Sequence, residues 1–130
     1  MMKSSLDVNA LIIGAGPVGA TLALALAQAG LKSVIVDPCE PAHVLDKGFD
    51  GRTLAISHGS HLLFKALGIW EEMLPFAEPI KKIHISQANH LGYVHYDEKD
   101  SNNLAMGYII ENRYLRQILF KSIFNNHLID

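Results

Sequence analysis

Cysteine is almost absent. The 130-residue chain carries one, Cys39, which excludes an internal disulfide framework and fits a reducing compartment. Cys39 stands between prolines in a turn-like composition with no basic activator beside it, which argues against a catalytic thiol. An excess of either charge is missing too. Eleven Lys and Arg oppose 13 Asp and Glu, for a formal net charge of -2. The basic footprint of a nucleic-acid binder is therefore lacking. Lys81 and Lys82 are the only adjacent basic pair, so a polybasic membrane anchor is also unsupported. There is no internal repeat and no low-complexity segment.

Ligand and catalytic clusters are scarce as well. His58 and His61 lie three apart with no Cys, Asp or Glu at ligand spacing. His84, His90 and His95 fall in strand-like sequence without a fixed ligand pattern, so structural or surface roles are expected and no metal site. Glu71 and Glu72 are adjacent and point to different helix faces, which disfavours a carboxylate pair. The acidic run at 97–100 reads as a solvated loop. No catalytic residue is named.

What the chain has is a core, with 49% hydrophobic residues. Residues 11–30, LIIGAGPVGATLALALAQAG, carry no charge. As a signal or anchor this stretch fits poorly. Asp7 and Asn9 interrupt the approach, and Gly14, Gly16, Pro17 and Gly19 fall inside it. The spacing is better explained by a turn between a strand and a helix. Residues 8–13 read as a short buried strand, and 18–29 as a helix closed by Gly30. Residues 32–37 read as a second buried strand ending at Asp37.

The unit is strand, turn, helix, strand, the βαβ element of a doubly wound sheet. Gly14 permits the tight turn, Gly16 lets backbone approach a pyrophosphate, and Gly19 lets the helix lie close on the strand. The helix N-terminus, with Pro17 and Val18 in its first turn, offers N–H groups to an anion. Asp37 follows about 20 residues on, where the dinucleotide motif places an acid for a ribose. This set, Gly14, Gly16, Pro17, Val18, Gly19 and Asp37, is the expected cofactor site. By itself it does not choose between FAD and NAD, though the carboxylate disfavours NADP at this position.

Further on, residues 48–70 read GFDGRTLAISHGSHLLFKALGIW. A glycine-containing loop with Arg52 leads into a helix with Leu62, Leu63, Ala66, Leu67 and Trp70 on one side. Ser57 or Ser60 could cap that helix. The residues leave two roles open for Arg52, a bidentate contact to a pyrophosphate or an exposed loop arginine. Two strand-like runs, 80–86 and 92–97, follow, with Ile83 and Ile85 alternating as if one face were buried. Residues 107–124 read as a strand and then a helix with Leu115, Ile118 and Leu119 as its packed stripe.

The glycine run, the GFDGRTLAIS stretch and LGIW together resemble the FAD-dependent aromatic hydroxylases of ubiquinone biosynthesis, within the group typified by para-hydroxybenzoate hydroxylase. The resemblance implies an α/β fold: a Rossmann-like FAD-binding βαβ unit with a parallel sheet, plus an inserted antiparallel strand pair. It implies that residues 1–130 form the N-terminal part of an FAD/NAD(P)-binding domain, with strands 80–97 in the sheet covering the substrate. Arg52 inherits a contact to the flavin cofactor's phosphates. A polar cofactor contact is implied just before the last helix, with Asn112 as first choice and Arg113 as second.

The implied activity is hydroxylation of a phenolic, polyprenylated ring, with FAD as cofactor, NAD(P)H as reductant and O₂ as co-substrate. The implied setting is the cytoplasm, with peripheral membrane association and no spanning helix. The family's later Asp-Gly and Gly-Asp cofactor motifs do not occur in these residues, so an incomplete domain is expected, inactive alone and prone to form homo-oligomers through open sheet edges. Two rivals share the glycine motif: the nucleotide-binding domain of an NAD-dependent dehydrogenase, and an inactive nucleotide-binding fragment.

Overall fold

The computed structural model describes residues 7–41, 51–101 and 105–130. The first residues of the 48–70 stretch, up to Asp50, lie outside them. In chain order the elements are β1 (Ala10–Ile13), α1 (Pro17–Gln28), β2 (Ser33–Val36), β3 (Thr53–Ser57), α2 (His58–Ala66), α3 (Trp70–Met73), β4 (Ala77–Pro79), β5 (Lys82–Ser86), β6 (Tyr93–Asp97), β7 (Gly107–Glu111) and α4 (Asn112–Phe124). They form two compact units. One combines the chain up to Asp50 with Asn112–Asp130, and the other is Gly51–Glu111.

The first unit is built on the expected βαβ element. β1 and β2 pair in parallel, Ala10 opposite Ser33 through Ile13 opposite Val36. Ile129 makes a parallel bridge to Ser33 on the other edge of β2, and Asp130 N–H donates to the Ser33 carbonyl at 2.9 Å. Residues 129 and 130 thus lie in a strand position beside β2. Between β1 and β2, α1 starts with Pro17 at its first position, where the missing N–H costs nothing. It buries Ala20, Ala23, Leu24 and Ala27, a stripe at helical spacing. It ends when Gly30 adopts φ 76°, the left-handed C′ position. α4 buries Leu115, Ile118 and Leu119 as expected, and Phe120 and Ile123 as well. Each such side chain contributes about 1.5–3 kcal/mol over leaving it in water.

The second unit departs from the sequence expectation in three ways. Residues 53–57, read as the approach to a helix, form β3, which pairs antiparallel with β7 from Thr53 opposite Glu111 to Ser57 opposite Gly107. β4 pairs with the other side of β7, giving a three-stranded antiparallel sheet in the order β3, β7, β4. The second departure is the helix stripe. Ser57 does cap α2, its Oγ accepting from Ser60 N–H at 3.2 Å, but Leu62 is 52% and Leu63 44% exposed. The chain turns at Gly68, φ 74°, so Trp70 begins a separate helix, α3. The buried side chains are Phe64, Ile69, Trp70 and Met73. The sequence pattern predicts one continuous helix, and the left-handed glycine breaks its phase.

The third departure concerns β5 and β6. They pair antiparallel as expected, Lys82 opposite Asp97 through Ser86 opposite Tyr93. Ile83 and Ile85 alternate with polar residues, yet they are 36% and 54% exposed, so neither face of the pair is buried within the unit. Among the described residues no helix is long and apolar enough to cross a membrane.

Candidate functional site

The turn after β1 is shaped by backbone constraints. Gly14 takes φ 103°, a conformation that L side chains rarely adopt, and its N–H donates to the Val36 carbonyl at 2.8 Å. Gly19 sits in the first turn of α1 with its α-carbon against that bend. A Cβ there would overlap the Gly14 carbonyl oxygen and stand 3.1 Å from Ile12 Cγ2. Gly16 is the N-cap, and no side chain caps the helix. A Cβ on Gly16 would meet nothing within 4 Å, so the space over the bend is open. Val18, in the same turn, is 84% exposed. The first N–H groups of a helix have no intrahelical partners, and they carry its positive dipole end. An open, uncapped, glycine-walled helix start suits a diphosphate.

Asp37 completes this arrangement from the end of β2. Its Oδ2 accepts the Ala15 N–H at 2.7 Å, and its Oδ1 accepts the Cys39 N–H at 2.8 Å. The acid therefore lies against the glycine bend. The Ala15 hydrogen bond, then that from Cys39, holds its carboxyl below the ordinary value of 3.8, with a smaller lowering from Arg116 and a small opposing effect of burial.

A carboxylate with a lowered folded value contributes stability that is fully present above its unfolded value. That contribution is lost as pH falls through the lowered one. Asp37→Asn is therefore expected to lower the urea midpoint at neutral pH, with the gap to the native chain narrowing below about pH 4. A constant gap from pH 7 to pH 3 would contradict it.

Beside Asp37 lies a cavity of about 170 Å³, lined by Ala15, Ile35 and Cys39 and by Phe120, Ile123 and Phe124 of α4. Its walls are mainly apolar and Asp37 stands among them, which suits a flat heteroaromatic base carried on a hydroxylated sugar. Asn112 opens α4 with its side chain buried, at 8% exposure. The Arg113 guanidinium lies 4.5 Å from the centre of the Tyr114 ring. Arg52 is exposed just ahead of β3, in the other unit. Sequence reasoning missed Arg116, whose charge acts on Asp37 and whose Nε is buried without a hydrogen-bond partner. It stands one helical turn after Arg113, and that spacing was the available signal.

The FAD binding domain family model matches residues 7–122. The chain belongs to the FAD binding domain family. The ubiquinone hydroxylase UbiL of Rhodospirillum rubrum is 36% identical over 111 residues, 85% of this chain and 26% of that protein. The 3-demethoxyubiquinol 3-hydroxylase of Escherichia coli is 33% identical over 114 residues, 86% of this chain and 29% of its own length. Among solved structures, pqsL of Pseudomonas aeruginosa, a probable FAD-dependent monooxygenase, superposes with a TM-score of 0.68 at 20% identity, over 95% of this chain and 32% of that one. The chain thus spans roughly a quarter to a third of these relatives. For a member of the FAD binding domain family, the glycine bend and Asp37 form the natural candidate for the nucleotide end of the cofactor.

Proposed function

We propose that this chain supplies the ADP-binding end of the FAD site in a monooxygenase that hydroxylates a phenolic ring in ubiquinone biosynthesis. The observation that carries the reading is the hydrogen bond from Ala15 N–H to Asp37 Oδ2, which joins the diphosphate-shaped bend to a ribose-binding acid. The open N-terminus of α1 takes the diphosphate, with Gly14, Gly16, Pro17, Val18 and Gly19 forming the bend. Asp37 accepts from the ribose hydroxyls, and the apolar cavity beside it takes the adenine. Asn112 and Arg113 at the start of α4, and Arg52 ahead of β3, provide further polar contacts to the cofactor.

When bound, FAD supplies the redox chemistry, accepting electrons from NAD(P)H and activating O₂. The chain's own residues anchor and orient its nucleotide half. The exposed strand pair of residues 80–97 belongs to the sheet that covers the substrate, which accounts for Ile83 and Ile85 lying uncovered here. A polyprenyl tail on the substrate places the work at a membrane surface, as a peripheral protein. The free edge of β1, whose only strand partner among the described residues is β2, offers a route to self-association.

The reading is tested by the absorption spectrum of the purified protein after FAD is added and the excess removed by desalting. Retained flavin bands are expected. Their absence, with NAD retained instead, would favour the dehydrogenase alternative. Retention of neither would favour the inactive nucleotide-binding fragment.

A further inference from the structure

The exposed strand pair carries chemistry that cofactor binding does not use. Along β5 the residues on one face are Lys82, His84 and Ser86, and the matching face of β6 carries Tyr93, His95 and Asp97. The antiparallel register sets His84 directly opposite His95. Nδ1 of His84 and Nε2 of His95 are in hydrogen-bonding contact, and the two ring centroids are 4.4 Å apart at 66°. The Tyr93 ring lies 5.0 Å from His95 and 5.9 Å from His84. One pair further along, Lys82 and Asp97 form an ion pair at 3.5 Å, so the nearest cation is answered by its own carboxylate. A surface cavity of about 230 Å³ is lined by His84, His95, Lys82 and Asp97.

We propose that His84 and His95 form a two-imidazole chelate for a divalent transition metal, Cu(II) in preference to Ni(II) or Zn(II). The strand register already brings two ring nitrogens side by side, so a metal entering between them gains both ligands from neighbouring strands. Neutral imidazole suits these ions, and Cu(II) heads their affinity order. As the metal takes its place, the hydrogen between the two rings passes to the far nitrogen of its own ring, so both ligands stay neutral imidazoles. Among the described residues there is no group of three or more His, Cys, Asp and Glu able to hold a metal. The coordination sphere is therefore completed by water, and the site is open and exchangeable rather than a closed structural one.

The other described histidine pair does not offer this. The His61 ring packs 4.3 Å from Trp70 and 4.9 Å from Tyr108, and its ring centroid stands 5.8 Å from that of His58.

The test is a Cu(II) titration of the purified full chain, followed by electron paramagnetic resonance. One Cu(II) with a two-nitrogen signature is expected. His84→Gln and His95→Gln should each weaken it by on the order of tenfold or more, and His58→Gln should leave it unchanged. In the native chain, where no variant has to fold, the histidine proton resonances of His84 and His95 should broaden first on adding substoichiometric Cu(II). Equal affinity in all variants, broadening that begins at other histidines, or no binding by the native chain would each overturn the proposal.

Discussion

Gly19→Val is expected to weaken FAD binding by on the order of 100-fold, equivalent to about 2.7 kcal/mol, and to destabilise the first unit as well. The reason is a backbone contact. A Cβ at this position overlaps the Gly14 carbonyl oxygen and comes within 3.1 Å of Ile12 Cγ2, and the carbonyl cannot swing away like the tip of a side chain. Overpacking of this kind costs about 1–3 kcal/mol. Relieving it means lifting α1 off the bend, and that moves the N–H groups proposed to hold the diphosphate.

Gly16→Ala makes a sharp comparison, because a Cβ there meets nothing within 4 Å. It should fold with a loss of no more than about 1 kcal/mol, yet still weaken FAD, since the methyl group enters the open space proposed for the phosphates. Urea midpoints and quenching of flavin fluorescence separate the two effects. A Gly19→Val chain that folds and binds like the native one would contradict this geometry.

In the second unit, Trp70→Ala is expected to cost about 3–5 kcal/mol. Trp70 is 3% exposed and meets the rings of His61 at 4.3 Å and Tyr108 at 4.7 Å. Its removal leaves a cavity between α2 and β7 and strips the His61 ring of its apolar neighbour. Burial holds the His61 imidazole below its usual value, so opening this cluster should also raise that value toward the ordinary range. Leu62→Ala is the control. The side chain is 52% exposed, and its loss should stay within about 0.5 kcal/mol. Circular dichroism in urea measures both, because Trp70 is the only tryptophan and its fluorescence vanishes with it. Equal costs for the two variants would show that the cluster does not hold this unit together.

These positions show where the sequence could be read. The βαβ element was legible because local signals agreed: an apolar strand, glycines at fixed offsets, proline at the first helical position and an acid closing the second strand. The α4 stripe was legible for the same reason, with Leu115, Ile118 and Leu119 at helical spacing and all three buried. Failures came where the outcome depended on distant pairing. Thr53–Ser57 is a strand because β7 pairs with it, more than 50 residues later in the chain.

Of the expected packed side Trp70 is buried, but Leu62 and Leu63 are not: the left-handed turn at Gly68 breaks the helix, and Phe64 is buried in their stead. The opposition of His84 and His95 is a property of strand register, invisible as a spacing of two histidines in the sequence. The influence of Arg116 on Asp37 required the packing of α4 against α1, which no local pattern around Asp37 announces. The positions of Gly14 and Asp37 were readable. The hydrogen bond from Ala15 that ties them together was not, because it spans the whole helix between them.

One bend and one acid are proposed to hold the ADP half of FAD. An amide-resolved NMR titration of the ¹⁵N-labelled chain with ADP tests it most directly. The largest shifts are expected at the amides of Gly14, Ala15, Gly16, Val18 and Gly19 and at Asp37, with smaller ones from residues lining the cavity beside it. Saturating ADP that leaves those amides unmoved, or shifts confined to other residues, would contradict the account.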